Sequence, residues 1–188
     1  IGAVSYHQMK DRPNVSIWSD ISNAIKGELG SITGAKTKGI FIAFEGGEGS
    51  GKSTQSKLLK KWLEEEGEEV LLSREPGGTE LGKDLRRILL DHSTGEISPR
   101  AEALLYAADR AHHVFSVIRP ALASGEVVIS DRYFDSSIAY QGAGRVLSPG
   151  EVARISRWAT ESLFPTLTIV IDLPAEVGIG RLTNRDRL

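Results

Sequence analysis

The chain lacks cysteine, so none of its 188 residues can form a disulfide bond, act as a thiol nucleophile or ligate a metal through a cysteine sulfur. It also lacks a signal-peptide pattern and any run of about 18 apolar residues, the length that a membrane-spanning helix needs. An excess of one charge is missing as well, and the net charge of −2 does not favour nucleic acid as a partner. With 40% apolar and 26% charged residues, we expect a globular, cytoplasmic protein whose segment here makes no membrane contact.

Residues 1–38 differ in composition from the rest of the chain, and we interpret them as an N-terminal extension or linker. Apolar residues at helical spacing predict one amphipathic helix between Val15 and Leu29: Ile17, Trp18, Ile21, Ile25 and Leu29. Residues 30–39 are rich in Gly, Ser and Thr and predict a flexible linker. The extension is either an inert tail, the end of a preceding domain, or a helix that docks on a partner through Trp18. Since the chain opens at Ile1 and stops inside a basic stretch at Leu188, we expect a segment of a longer protein.

A glycine-rich loop at residues 46–54 carries the strongest chemical signal. It fits G-x-x-x-x-G-K-[ST], with Gly46, Gly51, Lys52 and Ser53 at the fixed positions, and it lies between an apolar strand and a helical pattern. Glycines allow backbone N–H groups to turn inward, and the N-terminus of the following helix favours phosphate. Lys52 adds a positive charge for the outer phosphates, and the Ser53 hydroxyl is a ligand for Mg²⁺. The loop therefore predicts a site for a nucleoside triphosphate.

Strand and helix patterns alternate over residues 39–188. Four apolar runs predict strands: Ile40–Phe44, Val70–Leu72, Val127–Ile129 and Leu167–Ile171. Three helices are predicted at Ser53–Glu66, at Glu80–Leu90 and from Pro99 to Ala111. A fourth helix ends near Gly125 and is bent or broken at Pro120. A fifth helix runs from a Ser148–Glu151 capping box to Ser162, and a last helix begins near Pro174. Because strands that are apolar throughout are buried on both faces, the pattern predicts an α/β fold with a parallel sheet flanked by helices.

Charged residues follow the predicted strand ends, where ligands of parallel sheets bind. Arg74 and Arg132 can each hold a phosphate through paired N–H donors, which predicts a second phosphate, carried by an acceptor molecule. Asp131 is placed to hold Mg²⁺ through water. Glu48 lies inside the loop, and we expect its carboxylate to face away from the triphosphate, toward an acceptor hydroxyl. Taken alone, either arginine is explained more simply by a surface salt bridge.

Two further groups allow more than one interpretation. Tyr106 and Arg110 lie four residues apart on one helix face, either to contact a flat base or as a half-buried tyrosine beside a surface arginine. A basic group near the C-terminus forms either a lid over the nucleotide or a solvated helix face: Arg181, Arg185 and Arg187. His112 and His113 lack metal-ligand spacing to other residues and receive no role.

Four stretches together resemble the bacterial thymidylate kinases, P-loop enzymes that transfer the γ-phosphate of ATP to dTMP. They are the strand and phosphate loop at 41–54, the Arg-Glu-Pro-Gly-Gly segment at 74–79, the helix at 104–110 and the Asp-Arg-Tyr segment at 131–142. The resemblance implies the P-loop NTPase fold, ATP and dTMP as substrates, Mg²⁺ as cofactor and a homodimer. It also implies that the strand and helix that follow the lid in the family are absent from this chain.

The resemblance assigns substrates to individual residues. ATP is expected along the whole phosphate loop: Gly46, Gly47, Glu48, Gly49, Ser50, Gly51, Lys52, Ser53 and Thr54. The implied dTMP site has eight side chains: Glu48, Arg74, Tyr106, Arg110, Arg132, Ser137, Tyr140 and Gln141. In this arrangement Glu48 meets the 3′-hydroxyl, while Arg74 and Arg132 hold the dTMP phosphate. The ring of Tyr106 stacks on thymine, and Arg110 reaches a thymine carbonyl.

The remaining implied roles concern the sugar, the metal and catalysis. Tyr140 lies under the sugar and disfavours a 2′-hydroxyl, and the metal is held by Ser53 and Asp131. Some family members carry a catalytic arginine inside the loop, whereas this chain has Gly49 there and is similar to the type with a lid arginine. The implied catalytic residues are therefore Lys52, Arg132, Arg181, Arg185 and Arg187. Two other functions stay open: a kinase for a different nucleoside monophosphate, and a non-catalytic nucleotide-binding module of a larger protein.

Overall fold

The computed structural model describes residues 2–5, 39–143 and 147–182, in which strands and helices alternate. The strands are β1 (Gly2–Ser5), β2 (Ile40–Gly46), β3 (Val70–Arg74), β4 (Val127–Asp131) and β5 (Leu167–Ile171). The helices are α1 (Lys52–Glu65), α2 (Glu80–Leu90), α3 (Pro99–His113), α4 (Arg119–Ser124), α5 (Phe134–Ser137), α6 (Pro149–Ala159) and α7 (Ala175–Leu182). Two π-helical segments, Val114–Ile118 and Ile138–Ala143, and a short 3₁₀ helix, His92–Thr94, complete these elements.

The five strands form one parallel sheet in the order β1-β5-β2-β4-β3. The parallel sheet predicted from the apolar runs is confirmed. The register pairs Phe44 of β2 with Asp131 of β4, and Arg74 of β3 with Asp131 as well. Because all strands run the same way, their carboxyl ends meet at one edge, and the charged residues that follow them come together there.

Alternate residues of the central strand β2 enter two separate hydrophobic clusters, one on each face of the sheet. Ile40, Ile42 and Phe44 pack with Leu59 and Leu63 of α1. On the opposite face, β2 and β4 pack against the α3–α4 region: Phe41, Ala43, Val128, Val114, Ile118 and Ala121. Each fully buried Ile, Leu, Val or Phe side chain in these clusters contributes about 1.5–3 kcal/mol to folding. The two clusters hold the sheet rigidly between helical layers and thereby fix the edge that carries the charged residues.

The helix signals in the sequence match the structure closely. Helix α2 has the predicted bounds, and α6 begins with the predicted capping box, in which the Ser148 hydroxyl and the Glu151 side chain each bond the other residue's backbone N–H. The break in the helix that was predicted at Pro120 lies just before this residue instead. The π-helical segment Val114–Ile118 widens the turn, and Pro120 then falls in the first turn of α4, where its missing N–H costs no helical bond.

The edge strand β1 was not predicted from the sequence. Its four residues belong to the stretch interpreted as an extension, yet they pair in parallel with Leu167–Val170 of β5. A strand this short leaves no periodic pattern to recognise, and only the partner strand identifies it. The amphipathic helix predicted between Val15 and Leu29, the linker after it and the docking role of Trp18 lie outside the described residues.

Candidate active site

The phosphate loop connects β2 to α1 and depends on three glycines in left-handed conformations. Gly46, Gly49 and Gly51 have φ angles of 141°, 68° and 100°, which other residues adopt only with strain. Within the described parts of the chain no side chain caps the N-terminus of α1, and the first turn of this helix contains no acidic residue. The free N–H groups and the positive end of the helix dipole are therefore available to an anion, as the motif predicts.

Lys52 is the buried cation of the loop. Only 6% of the residue is exposed, and its Nζ donates to the Gly47 carbonyl oxygen at 2.6 Å. Burial lowers the pKa of Lys52, and the nearby Arg132 guanidinium lowers it further. Two cations that converge in a partly desolvated space repel each other. A bound phosphate removes this repulsion, so the site is electrostatically suited to an anion.

Ser53 and Asp131 are brought together as the sequence predicts. The exposed Ser53 hydroxyl, in the first turn of α1, donates a hydrogen bond to Asp131 Oδ2 at the end of β4. Carboxylate and hydroxyl oxygens are hard ligands of the kind that Mg²⁺ prefers. Within residues 2–5, 39–143 and 147–182, no group of three or more His, Cys, Asp or Glu side chains is placed to hold a metal. That Ser53 and Asp131 hold Mg²⁺ stays a prediction.

Arg132 links the loop to the residues that were predicted to bind the acceptor. Its backbone is left-handed, with φ of 74°, and its N–H donates to the Phe44 carbonyl at 2.9 Å. The guanidinium donates to Glu48 Oε1 and to Ser136 Oγ, the latter at 3.0 Å. It also lies 5.3 Å from the centre of the Tyr140 ring. A strained backbone that several contacts hold in place is typical of functional sites. Glu48 indeed faces this arginine rather than the interior of the loop.

Arg74 ends β3 with an exposed side chain, as expected for a phosphate ligand. Arg74 lines a cavity of about 320 Å³ that lies between α1 and the glycine-rich turn after β3. The lining of this cavity also includes Ser53, Lys57 and Asp131. No local pattern in the sequence singles out Arg86 of α2. Burial lowers the pKa of Arg86, the adjacent Arg74 lowers it further, and Arg86 Nη1 donates to the Pro76 carbonyl at 3.1 Å. The part of the site predicted for the acceptor therefore holds a further guanidinium besides those of Arg74, Arg110 and Arg132, and only the packing of α2 reveals it.

Tyr106 and Arg110 share a helix but differ in burial. Tyr106 is half-buried, and this burial raises the pKa of its phenol. The negative charge of Glu102 raises the pKa further. Arg110 is only 2% exposed. Its Nε donates to Glu75 Oε2 at 2.7 Å, and its Nη2 donates to Ser137 Oγ at 2.7 Å. The surface arginine considered from the sequence is thus wrong, because the Glu75 carboxylate draws the guanidinium inward. Contact between Arg110 and a base stays a prediction.

The remaining residues that were predicted to bind the acceptor lie on the segment after β4. Ser137 is buried and accepts the hydrogen bond from Arg110. Tyr140 is 44% exposed, with its ring near Arg132. Gln141 is buried, and its Nε2 donates to Glu102 Oε1 at 3.1 Å. Among the described residues, its Oε1 has no hydrogen-bond partner. A buried acceptor without a donor is costly, which suits a position that a ligand N–H completes.

Helix α7 lies directly on the phosphate loop. A Cβ atom at Gly49 would stand 2.2 Å from the Gly178 carbonyl oxygen, so no side chain fits at Gly49 in this arrangement. The exposed Arg181 reaches back from α7, and its Nη1 donates to the Gly49 carbonyl at 3.3 Å. An arginine is therefore excluded from the loop but present beside it. Arg185 and Arg187 lie outside the described residues.

A model of the thymidylate kinase family matches residues 44–188. The chain is 60% identical over 154 residues to the thymidylate kinase of Clavibacter michiganensis subsp. michiganensis, with 80% of this chain and 72% of that protein covered. It is likewise 60% identical over 154 residues to the thymidylate kinase of Leifsonia xyli subsp. xyli, covering 80% of this chain and 73% of that protein.

Among solved structures, the crystal structure of thymidylate kinase from Ehrlichia chaffeensis is similar, with a TM-score of 0.68 and 35% identity. The similarity covers 77% of this chain and 82% of that one. The α/β fold and the family expected from the four sequence stretches are confirmed. The chain belongs to the thymidylate kinase family.

Proposed function

We propose that this protein transfers the γ-phosphoryl group of ATP to dTMP, giving dTDP and ADP. One observation carries the proposal: the phosphate loop and the arginines of the next strand ends share one site, joined by the contact between Glu48 and Arg132. A loop alone supports only nucleotide binding. Arg74 and Arg132 beside it provide for a second phosphate, and the names of the relatives identify the acceptor as dTMP.

On the donor side, the loop N–H groups and Lys52 hold the ATP phosphates. Phosphoryl transfer needs positioning and charge neutralisation more than covalent chemistry, and a buried lysine with a fixed position supplies both. Thr54 follows in the first turn of α1 and completes the loop. Mg²⁺ is the proposed cofactor, with Ser53 and Asp131 as the residues that would hold it. When bound, the cation neutralises charge on the β- and γ-phosphates.

On the acceptor side, Arg74 and Arg132 hold the dTMP phosphate and Glu48 accepts a hydrogen bond from the 3′-hydroxyl. Tyr106 stacks on thymine, while Tyr140 limits the space beside the sugar and thereby disfavours a 2′-hydroxyl. The unpaired Gln141 Oε1 supports a place for the base, because thymine carries an N–H that satisfies it. Ser137 and Arg110 form the wall behind the base. Binding the two phosphates in line brings donor and acceptor into reaction distance.

The arginine that neutralises charge on the transferring phosphoryl group in the transition state is assigned to the lid. The close contact between Gly49 and Gly178 supports this assignment, because it leaves no room for a loop arginine. Arg181 already reaches the loop carbonyl of Gly49. It is therefore the leading candidate, and Arg185 and Arg187 are the alternatives. A mobile arginine that joins at the transition state adds charge without strengthening the ground state.

We also infer from the family resemblance that the protein works as a homodimer in the cytoplasm. No helix in the described parts of the chain is long and apolar enough to cross a bilayer. Sedimentation of the protein across a concentration series tests the dimer directly. A monomer at all concentrations would remove that inference and leave the proposed reaction untouched.

The decisive experiment is an ADP-release assay with ATP and each of five acceptors: dTMP, dUMP, dCMP, dGMP and AMP. We expect a clear preference for dTMP in kcat/KM, with dUMP next because it lacks only the methyl group. Preference for any other acceptor would identify a different nucleoside monophosphate kinase. Tight ATP binding without turnover on any acceptor would identify a non-catalytic module.

A further inference from the structure

A buried cluster of polar side chains lies behind the turn that carries Arg74. We call residues 74–78 the acceptor loop. Glu75 of this loop is 4% exposed, and its two carboxylate oxygens have different partners. Oε2 accepts from Arg110 Nε at 2.7 Å, while Oε1 lies 3.0 Å from Nδ1 of His113, which is fully buried in α3. The histidine thus contacts the same carboxylate that holds Arg110.

The partners of His113 define its protonation pattern. A carboxylate only accepts hydrogen bonds, so Nδ1 carries a proton and donates to Glu75. The other nitrogen, Nε2, lies 2.6 Å from Ser73 Oγ and in the neutral ring accepts from that hydroxyl. Both ring nitrogens are therefore engaged, one with the acceptor loop and one with the end of β3. This arrangement fixes the orientation of the ring.

The imidazole also supports the acceptor loop sterically. A Cβ atom at Gly78 would stand 2.6 Å from His113 Nε2 and 2.7 Å from Ser73 Oγ, so the loop backbone rests on the ring. On the other side, the Glu75 backbone N–H donates to the Asp131 carbonyl at 3.0 Å. The loop is therefore held between α3 and the end of β4. Arg74 stands at its first position.

We propose that His113 is a positioning residue for the acceptor. It holds Glu75 and the acceptor loop so that Arg74 and Arg110 face dTMP correctly, and it has no part in ATP binding. The proposal rests on the proposed function, because it takes Arg74 to be a ligand of the acceptor phosphate. A histidine that served the core alone would instead contribute to stability without distinguishing the two substrates.

Two conservative substitutions separate the two ring contacts. In His113→Asn the amide nitrogen replaces Nδ1 and keeps the donor to Glu75, but the side chain no longer reaches Ser73. In His113→Gln the amide oxygen replaces Nε2 and keeps the Ser73 contact, but Glu75 Oε1 loses its donor. We expect His113→Gln to raise the KM for dTMP about tenfold, since small misplacements distant from the reacting atoms carry such costs. His113→Asn loses the ring edge beneath Gly78 but keeps the donor to Glu75, so it should raise the dTMP KM clearly less than His113→Gln does.

The measurements are KM and kcat for both substrates, with the melting temperature of each variant recorded in parallel. His112→Asn is the matched control, because it makes the same change one residue away on the same helix. The expected result is a rise in the dTMP KM of His113→Gln, with the ATP KM unchanged and with a clearly smaller rise in His113→Asn. Equal effects on both substrates, or equal effects of both variants, would overturn the proposal.

Gly78→Ala keeps the test decisive if His113→Gln does not fold. The added methyl group pushes the loop off the imidazole from the outside, at a residue without a left-handed backbone. It should raise the dTMP KM about tenfold and leave the ATP KM unchanged. A folded Gly78→Ala enzyme with an unchanged dTMP KM would refute the positioning role. If the parent itself shows no preference for dTMP, the proposed function fails first, and the two failures are distinguishable.

Discussion

The proposed donor side and the proposed acceptor side of this site are built in different ways. On the donor side a short, continuous stretch of glycine-rich backbone forms the phosphate cradle, and even Lys52 bonds to a carbonyl only five residues away. On the acceptor side, side chains from distant parts of the chain contact one another. Arg110 and Glu75 are 35 residues apart, and Arg132 and Glu48 are 84 apart.

This difference determines how selective each side is for its substrate. Backbone N–H groups serve any triphosphate in much the same way, so a cradle made of them suits a donor that many enzymes share. Side chains locked by buried hydrogen bonds present one shape and one pattern of charges. They suit the recognition of a particular acceptor. Substitutions on the donor side should therefore mainly lower kcat, and those on the acceptor side should mainly raise the KM for dTMP.

The largest effect is expected for Lys52→Ala. Removal of the buried ammonium leaves the transferring phosphoryl group without its fixed cation, and kcat should fall about a thousandfold. Steady-state kinetics at saturating ATP and dTMP provide the measurement, with circular dichroism to verify the fold. Lys61→Ala is the control, because Lys61 lies on the same helix and makes an exposed ion pair with Glu65, which contributes little to stability. A Lys52→Ala enzyme with near-normal turnover would contradict the role of the loop.

A smaller loss is expected for the lid arginine. Arg181→Ala should lower kcat about a hundredfold at unchanged KM values, since its charge acts only when the phosphoryl group is in transit. Arg185→Ala and Arg187→Ala provide the comparison. Single-turnover rates identify which of the three carries the effect. If the loss falls on Arg185 or Arg187 instead, the contact between Arg181 and Gly49 belongs to the resting enzyme alone.

The difference between the two sides also explains what the sequence predicted. The loop, its strand and its helix are contiguous, so the motif predicts fold and chemistry together, and the strand ends follow from the rule for parallel sheets. The inward turn of Arg110 and the place of Arg86 depend on contacts between segments far apart in the chain. His113 received no role because its partners, Glu75 and Ser73, lie on a different element. Local spacing contains no information about such pairs.

On the acceptor side, Arg74→Ala should leave ATP binding intact and weaken dTMP binding. Loss of a charge-assisted contact to a phosphate costs about 1.5–3 kcal/mol, which corresponds to a rise in the dTMP KM of about ten- to a hundredfold. Titration calorimetry with each nucleotide alone separates the two sites. The exposed Arg87 of α2, which pairs with Asp84, provides the matched control as Arg87→Ala. Loss of ATP affinity in Arg74→Ala would mean that the two phosphate sites are assigned wrongly.

The smallest effect is expected for a substitution where the phosphate loop contacts helix α7. A Cβ atom at Gly178 would stand 2.3 Å from the Glu48 carbonyl oxygen. One at Gly180 would meet no atom of the described residues within 4 Å apart from its own helix backbone. Because a backbone neighbour cannot rotate away, Gly178→Ala must displace either α7 or the loop, and overpacking of this kind costs about 1–3 kcal/mol of stability.

Gly180→Ala makes the same chemical change on the same helix without the clash, and it should gain up to about 1 kcal/mol from the better helix propensity of alanine. The melting temperature should therefore fall in Gly178→Ala and rise in Gly180→Ala. The KM for ATP should rise in Gly178→Ala and not in Gly180→Ala. Equal behaviour would mean that α7 does not rest on the loop in solution. A selective rise in the ATP KM of Gly178→Ala would show that even the backbone-built side depends on one contact from more than a hundred residues away, between Glu48 and Gly178. The two sides of the site would then differ in degree rather than in kind.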